Sequence, residues 1–364
     1  MVKGQEIFAK RLLQARIKAK LSMEKLSALM SEKADVKITK QAISKYEKAM
    51  MMPNSTVLCA LALTLNVDPD YFSRPFKFNI GDLKISFRKK ANTTVADQKA
   101  LEIQIQDQVE RYLEIEDILR ITPKSIRNDY LIPAEPLVSN SDMVQMAKRV
   151  REYWGLGKAP IANTQELLEA LGIKVLLTPA PSEFLGVSGI INEKYWIIVL
   201  NNSDPYIERR RLTTMHELCH LLYNDNFSDQ LSAHEKEKLC NAFANEMLLP
   251  GVKLKSLFNG KSQIAIEELI SLSRNYGISV DAIVYKLKEL DIIGEKRYRN
   301  FFILKNVYPD FKERIERPRY HEEETTRFQT MVYSALGQEL ITNSKAASLL
   351  GVSINDVRKN DKTI

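Results

Sequence analysis

Apolar positions recur at helical spacing through the first seventy residues of the chain. Glu6 to Lys20 reads as a helix with Phe8, Leu12, Leu13, Ala15 and Ile17 on its apolar positions. Ser22 caps a second helix that runs to about Ser31, and a polar connection from Glu32 to Ile38 follows. Thr39 caps a third, Lys40 to Lys48, which turns Ala42, Ile43 and Tyr46 inward. Pro53-Asn54-Ser55 opens a fourth through Leu65, and Asn66-Val67-Asp68-Pro69 introduces a short turn at Tyr71-Phe72. Beyond these, Ile80 to Phe87 reads as a hairpin or as linker. Asp97 to Arg120 reads as one long helix, either a connector or a dimerisation surface, with Leu101, Ile105, Val109, Tyr112, Leu113, Ile115 and Ile118 near helical spacing.

Pro123, Pro133 and Pro136 interrupt the pattern and mark a domain boundary. Helices are expected at Asp142 to Tyr153 and Asn163 to Ala170. The period then changes. Ile173 to Leu177, Gly186 to Ile191 and Tyr195 to Leu200 read as strands, the last two joined at Asn192-Glu193. A basic patch, Arg209-Arg210-Arg211, precedes a helix with Leu212, Met215, Cys219 and Leu222 on one stripe. Glu235 to Leu249 is a further helix, stopped by Pro250-Gly251. Ile264 to Arg274, Ser279 to Leu290 and Phe328 to Leu340 are helical, while Arg297 to Arg319 mixes strand-like and charged residues. Ser344 to Ser353 reads like half of a helix-turn-helix, without a basic excess, and is taken as structural.

Composition adds a location and a partner. No apolar run reaches the roughly 18 residues of a membrane span, and there is no signal-peptide layout, so no membrane partner is expected. Cys59, Cys219 and Cys240 are well separated, which fits a reducing compartment, and a cytoplasmic protein is expected. Of the net charge of +7, residues 1–75 carry +6, from 13 Lys/Arg against 7 Asp/Glu. Five short helices with a basic third one, in a basic domain, point to double-stranded DNA.

The stripe-bearing helix carries the chemistry. His216-Glu217-Leu218-Cys219-His220 is an H-E-x-x-H sequence. Residues four apart share a helix face, so His216 and His220 can hold one ion, and paired imidazoles suit Zn²⁺. Glu217 sits to the side of that ion, where its carboxylate can take a proton from an activated water. A third ligand is needed. Glu237 lies at the edge of an apolar face where an unpaired carboxylate is costly, and it is the first candidate; His234 is the rival. Cys219, one turn from His216, reads as a buried packing thiol.

His216 to Leu222, followed by Glu237-Lys238-Leu239-Cys240-Asn241-Ala242-Phe243-Ala244 and Leu248-Leu249-Pro250, resembles the ImmA/IrrE family of zinc metallopeptidases. The family pattern is similar to H-E-L-G-H-L followed by E-x-x-A-N-x-F-A-x-x-L-L-x-P. Cys219 stands where the family usually has Gly, Cys240 where it has Ala, and Met247 where it has Leu. The resemblance covers about residues 140 to 290 and implies metal ligands His216, His220 and Glu237 with Glu217 catalytic. The N-terminal segment resembles the XRE (lambda-repressor-like) family through Leu26-Ser27-Ala28-Leu29, Thr39 to Lys48 and Pro53 to Leu58. That resemblance implies that the third helix enters the major groove, with Thr39, Lys40, Gln41, Ser44 and Lys45 outward. Ala49 stands where a turn glycine is common.

The expected fold is mainly α. Residues 1–75 form a five-helix DNA-binding domain, 76–138 a linker and connector helix, 139–295 an α+β zincin-like peptidase with a small sheet, and 296–364 a helical C-terminal region. The family resemblance implies a DNA-binding regulator joined to a zinc endopeptidase that cuts repressor-type proteins, in mobile-element or stress control, and a homodimer is compatible with it. The alternative is a transcriptional or antitoxin-like regulator whose metal domain is a non-catalytic sensor or interaction platform. An amidase or small-peptide hydrolase would use the same chemistry.

Overall fold

The computed structural model describes residues 3–76, 94–126, 128–261 and 263–360, so the Ile80–Phe87 segment lies outside the described residues. The chain divides into two compact units. The first opens with α1 (Lys3–Lys18), α2 (Met23–Ala34), α3 (Lys40–Glu47), α4 (Ser55–Leu65) and a 3₁₀ turn, Pro69–Ser73. Ser22, Thr39 and Asn54 each accept a hydrogen bond from the backbone N–H three residues on, which satisfies an orphan donor at the start of α2, α3 and α4. Phe8, Leu12, Leu26, Met30, Ile43, Tyr46, Leu61 and Phe72 close the core between them. Because α2 continues to Ala34, the connection to α3 is shorter than the expected Glu32–Ile38. Ala49 turns the chain out of α3 in the left-handed region (φ 54°), where an L side chain is strained and glycine is not.

Thr94 and Asp97 form a capping box at the start of α5 (Val95–Ile118). Its apolar stripe is covered within the chain. Arg11 of α1 pairs with Glu110 at 2.7 Å, and Lys18 and Arg74 reach Asp107 at 3.1 and 3.3 Å. Arg11, Glu110 and Asp107 are buried, so each of these carboxylates needs its cation. The same unit is completed by α15 (Arg327–Gly337), α16 (Asn343–Leu350) and α17 (Ile354–Asn360). Phe328 stacks on Tyr112, and Arg111 donates to the Leu349 carbonyl at 2.8 Å. The connector helix and the last helices therefore belong with α1 to α4, whereas residues 296–325 belong with the sheet.

In the second unit α6 (Asn140–Tyr153) and α7 (Thr164–Ala170) precede a three-stranded sheet of β1 (Lys174–Thr178), β2 (Gly186–Ile191) and β3 (Tyr195–Asn201). The order is β1-β3-β2. β1 runs parallel to β3, with Lys174 opposite Ile197. β2 runs antiparallel to it, with Gly186 opposite Leu200 and Ile191 opposite Tyr195. Asn192 and Glu193 both take positive φ, as a tight hairpin turn requires. α8 (Ile207–Tyr223) packs on β2 and β3, and α9 (Ala233–Leu248) packs on α6 and α8. The approach of β2 to α8 is close: a Cβ at Gly186 would lie 2.8 Å from Thr213 Cγ2 and 3.1 Å from the Val199 carbonyl oxygen.

The rest of the unit is α10 (Gly251–Phe258), α11 (Ile266–Tyr276), α12 (Val280–Glu289), α13 (Glu295–Val307) and α14 (Pro309–Glu316). The segment 297–319 is thus mostly two helices rather than mixed structure, with Pro309 at the first turn of α14, where a missing N–H costs nothing. Nor are Arg209–Arg211 a patch. Arg210 and Arg211 are buried, paired with Glu322 and Glu323 of the segment that follows α14. Arg211 also donates to the carbonyls of Ile161 and Gly277, and Glu323 accepts from the Thr164 N–H and hydroxyl that open α7. Among the described residues no helix is long and apolar enough to cross a membrane.

Candidate functional site

α8 is buried on nearly every side, with Met215, Leu218, Cys219 and Leu222 in the main core. Leu212, expected on the same stripe, is only partly buried. His216 and His220 leave that core on one side of the helix, with rings in an edge arrangement and Nε2 atoms 3.2 Å apart. α9 faces them. Ser232 and Glu235 form its capping box, which turns Glu235 to the helix start and away from the histidines. Two residues on, Glu237 reaches both: its Oε2 is 3.1 Å from His216 Nε2 and its Oε1 3.3 Å from His220 Nε2. Exposure rises across the three side chains, 9% for His216, 23% for His220 and 50% for Glu237, so the cluster opens to solvent on the Glu237 side. His234 is exposed.

The 3.2 Å between the two Nε2 atoms, with one Glu237 oxygen 3.1 Å from the first and the other 3.3 Å from the second, is close to the edge of a tetrahedron whose ligands stand about 2.0 Å from a shared ion, roughly 3.3 Å. Two imidazoles and a carboxylate are also a donor set zinc accepts, so the residues fit the ion. Cys240 is also close enough to be grouped with the two histidines, with donor atoms within 4.8 Å of one another. Its sulfur, however, meets His220 at Nδ1, 3.7 Å away, not at the Nε2 that faces Glu237. His216 likewise turns its Nδ1 to the side-chain oxygen of Asn241 at 2.9 Å.

In the metal-free protein, burial opposes a charge on either imidazole. For His220, hydrogen bonds to Cys240 and Glu237 outweigh that and hold its pKa up to about 11; for His216, Glu237 raises it in the same way. Hydrogen bonds from both histidines push the Glu237 carboxyl far below its ordinary range. A hydrogen bond from Cys219 lowers Cys240 to about 6 against its burial, while burial pushes the Cys219 thiol up.

Glu217 is buried beside the cluster, and its Oε2 accepts a hydrogen bond from Ser188 Oγ of β2 at 2.7 Å. Sequence reading missed Ser188 because nothing in a strand 29 positions upstream signals the contact. Asn241 had a signal, four residues after Glu237 on the same helix face. A cavity of about 730 Å³, lined by Lys253, Phe258, Leu272 and Tyr276 among others, includes none of these residues.

In the other unit, Thr39, Lys40, Gln41 and Lys45 are exposed on α3 and Ser44 is partly so, opposite the buried Ile43 and Tyr46. Thr39 is engaged as the cap of its own helix, and Lys40 pairs with Glu24 of α2.

Two family models match the chain. Residues 12–72 match that of the helix-turn-helix. Residues 168–288 match a peptidase family, that of the IrrE N-terminal-like domain. The protein therefore joins a helix-turn-helix of the XRE type to a metallopeptidase-like domain of the IrrE/ImmA type. No curated protein matches the sequence.

Proposed function

We propose that this protein is a DNA-binding regulator whose second unit is a zinc-dependent endopeptidase acting on a repressor-type protein. The observation that carries the reading is the meeting of His216, His220 and Glu237, from two helices, within 3.3 Å of one another beside Glu217. His216, His220 and Glu237 hold the ion. Zinc, when bound, polarises a peptide carbonyl and brings the pKa of a water to about 7. Glu217, steered by Ser188, takes the proton of the attacking water and delivers it to the leaving amine. β2 is an edge strand packed against the helix that carries Glu217, so an extended substrate backbone can add to the sheet there.

The helix-turn-helix supplies the address. Thr39, Lys40, Gln41, Ser44 and Lys45 of α3 meet the major groove, which brings the peptidase to the operators where its substrate sits. The reading is tested by incubating the zinc-loaded protein with repressors encoded beside its gene and identifying fragments by mass spectrometry. Cleavage at one defined bond that stops on chelation is expected. Intact repressors in the presence of bound zinc would count against it.

A further inference from the structure

The helices that bear the ligand residues also bring two sulfurs together behind the histidines. Cys219 of α8 and Cys240 of α9 are both fully buried, and each shifts the other's titration. Cys240 Sγ lies 3.7 Å from Nδ1 of His220. That is the far nitrogen, since Nε2 faces His216 and Glu237. An imidazole can present a lone pair at Nε2 only when Nδ1 carries the proton, and the group that accepts that proton's hydrogen bond decides the tautomer and the ring angle. His216 has Asn241 Oδ1 in this role at 2.9 Å. For His220 the described contact at Nδ1 is a sulfur, where the more usual partner is a carboxylate or carbonyl.

We propose that Cys240 is a positioning residue for His220: its sulfur accepts the Nδ1–H and fixes the ring with Nε2 toward the metal position. The inference rests on the reading that His216, His220 and Glu237 hold zinc. It gives one turn of α9 three tasks. Glu237 is a ligand, and Cys240 and Asn241, three and four residues on, orient the two ligands that α8 supplies. It also gives Cys240 a task beyond filling the core, since its sulfur lies on the His220 ring.

The test uses the full-length protein, stripped of metal and titrated with Zn²⁺ against a competing chelator. Cys240→Ala should bind zinc about 10- to 100-fold more weakly, the usual cost of losing such a partner. Cys240→Ser keeps an acceptor and should recover most of the loss. Cobalt-loaded wild type should lack a sulfur-to-cobalt charge-transfer band. In zinc-loaded wild type the His220 Nδ1–H should give a proton resonance protected from exchange, a measurement that does not depend on any variant folding. Wild-type zinc affinity in a folded Cys240→Ala, serine doing no better than alanine, a charge-transfer band abolished by Cys240→Ala, or no protected Nδ1–H would each overturn the proposal. His220→Ala separates the two levels. Retained zinc there overturns the ligand set and this inference with it. Lost zinc there, beside an unaffected Cys240→Ala, removes only the positioning role.

Discussion

Ser188 Oγ donates a hydrogen bond to Glu217 Oε2 at 2.7 Å, from the edge strand β2 to the helix α8. The contact depends on Gly186, because a side chain there would push against Thr213 and hold the strand away from the helix. Ser188→Ala removes one charge-assisted hydrogen bond while leaving every proposed ligand in place. Turnover should fall about tenfold, the equivalent of roughly 1.4 kcal/mol, with zinc content unchanged. Metal analysis beside a cleavage assay checks both halves, and unchanged turnover would show that Glu217 holds its position without the serine.

Much of this was legible in the sequence, and what was not has physical reasons. The caps Ser22 and Thr39, the hairpin turn at Asn192-Glu193 and the paired histidines are local signals, read from a few adjacent residues. In sequence Arg211 reads only as part of a basic patch, because its partner, Glu323, lies more than a hundred residues downstream. Burial of an arginine is decided by the partner, not by its neighbours in sequence. The long helix α5 left dimerisation and packing open, since an apolar stripe does not say what covers it; Tyr112 on Phe328 answers that. Segment 297–319 lacked a clean period because its helices bury few residues, Phe301, Lys305 and Ile315 among them.

Zinc affinity should rise with pH. Without an ion His220 is held up to about 11 by its hydrogen bonds to Cys240 and Glu237, and His216 is raised by Glu237, so a metal competes with protons for this pair. Calorimetric titration in buffers of different ionisation heat should show net proton release on zinc binding near pH 7. For the metal-free fold the signs are opposite. The raised His220 stabilises it fully below its unfolded value of 6.5, and this is lost as pH rises toward about 11. The depressed Glu237 stabilises it above 4.5, and this is lost at lower pH. A buffer-independent heat with pH-independent affinity would contradict the proton displacement.

Glu323 and Arg211 are both fully buried and paired. Glu323→Ala leaves the arginine uncompensated and also strips the start of α7 of its acceptor. Denaturant unfolding should show a loss of about 3–5 kcal/mol, the usual cost of breaking a buried pair by removing one partner. A loss below about 1 kcal/mol would mean that water or another acceptor takes the place of the carboxylate.

DNA binding by the full-length protein should weaken steeply with salt, as phosphate contacts release counterions. Gln41→Ala should relax preference at one base position by about 1–3 kcal/mol. Lys45→Ala should weaken all sites about equally. Equal effects of the two changes on every sequence would argue that α3 does not read the groove.

The most direct measurement is cleavage of an identified protein substrate by Glu217→Gln. Glutamine keeps the volume and the hydrogen bond to Ser188 but cannot accept the water's proton. Zinc content and DNA binding should match wild type, while turnover falls by about 10²–10⁴. Wild-type-like turnover by this variant would contradict the peptidase mechanism and leave the metal domain as an interaction platform.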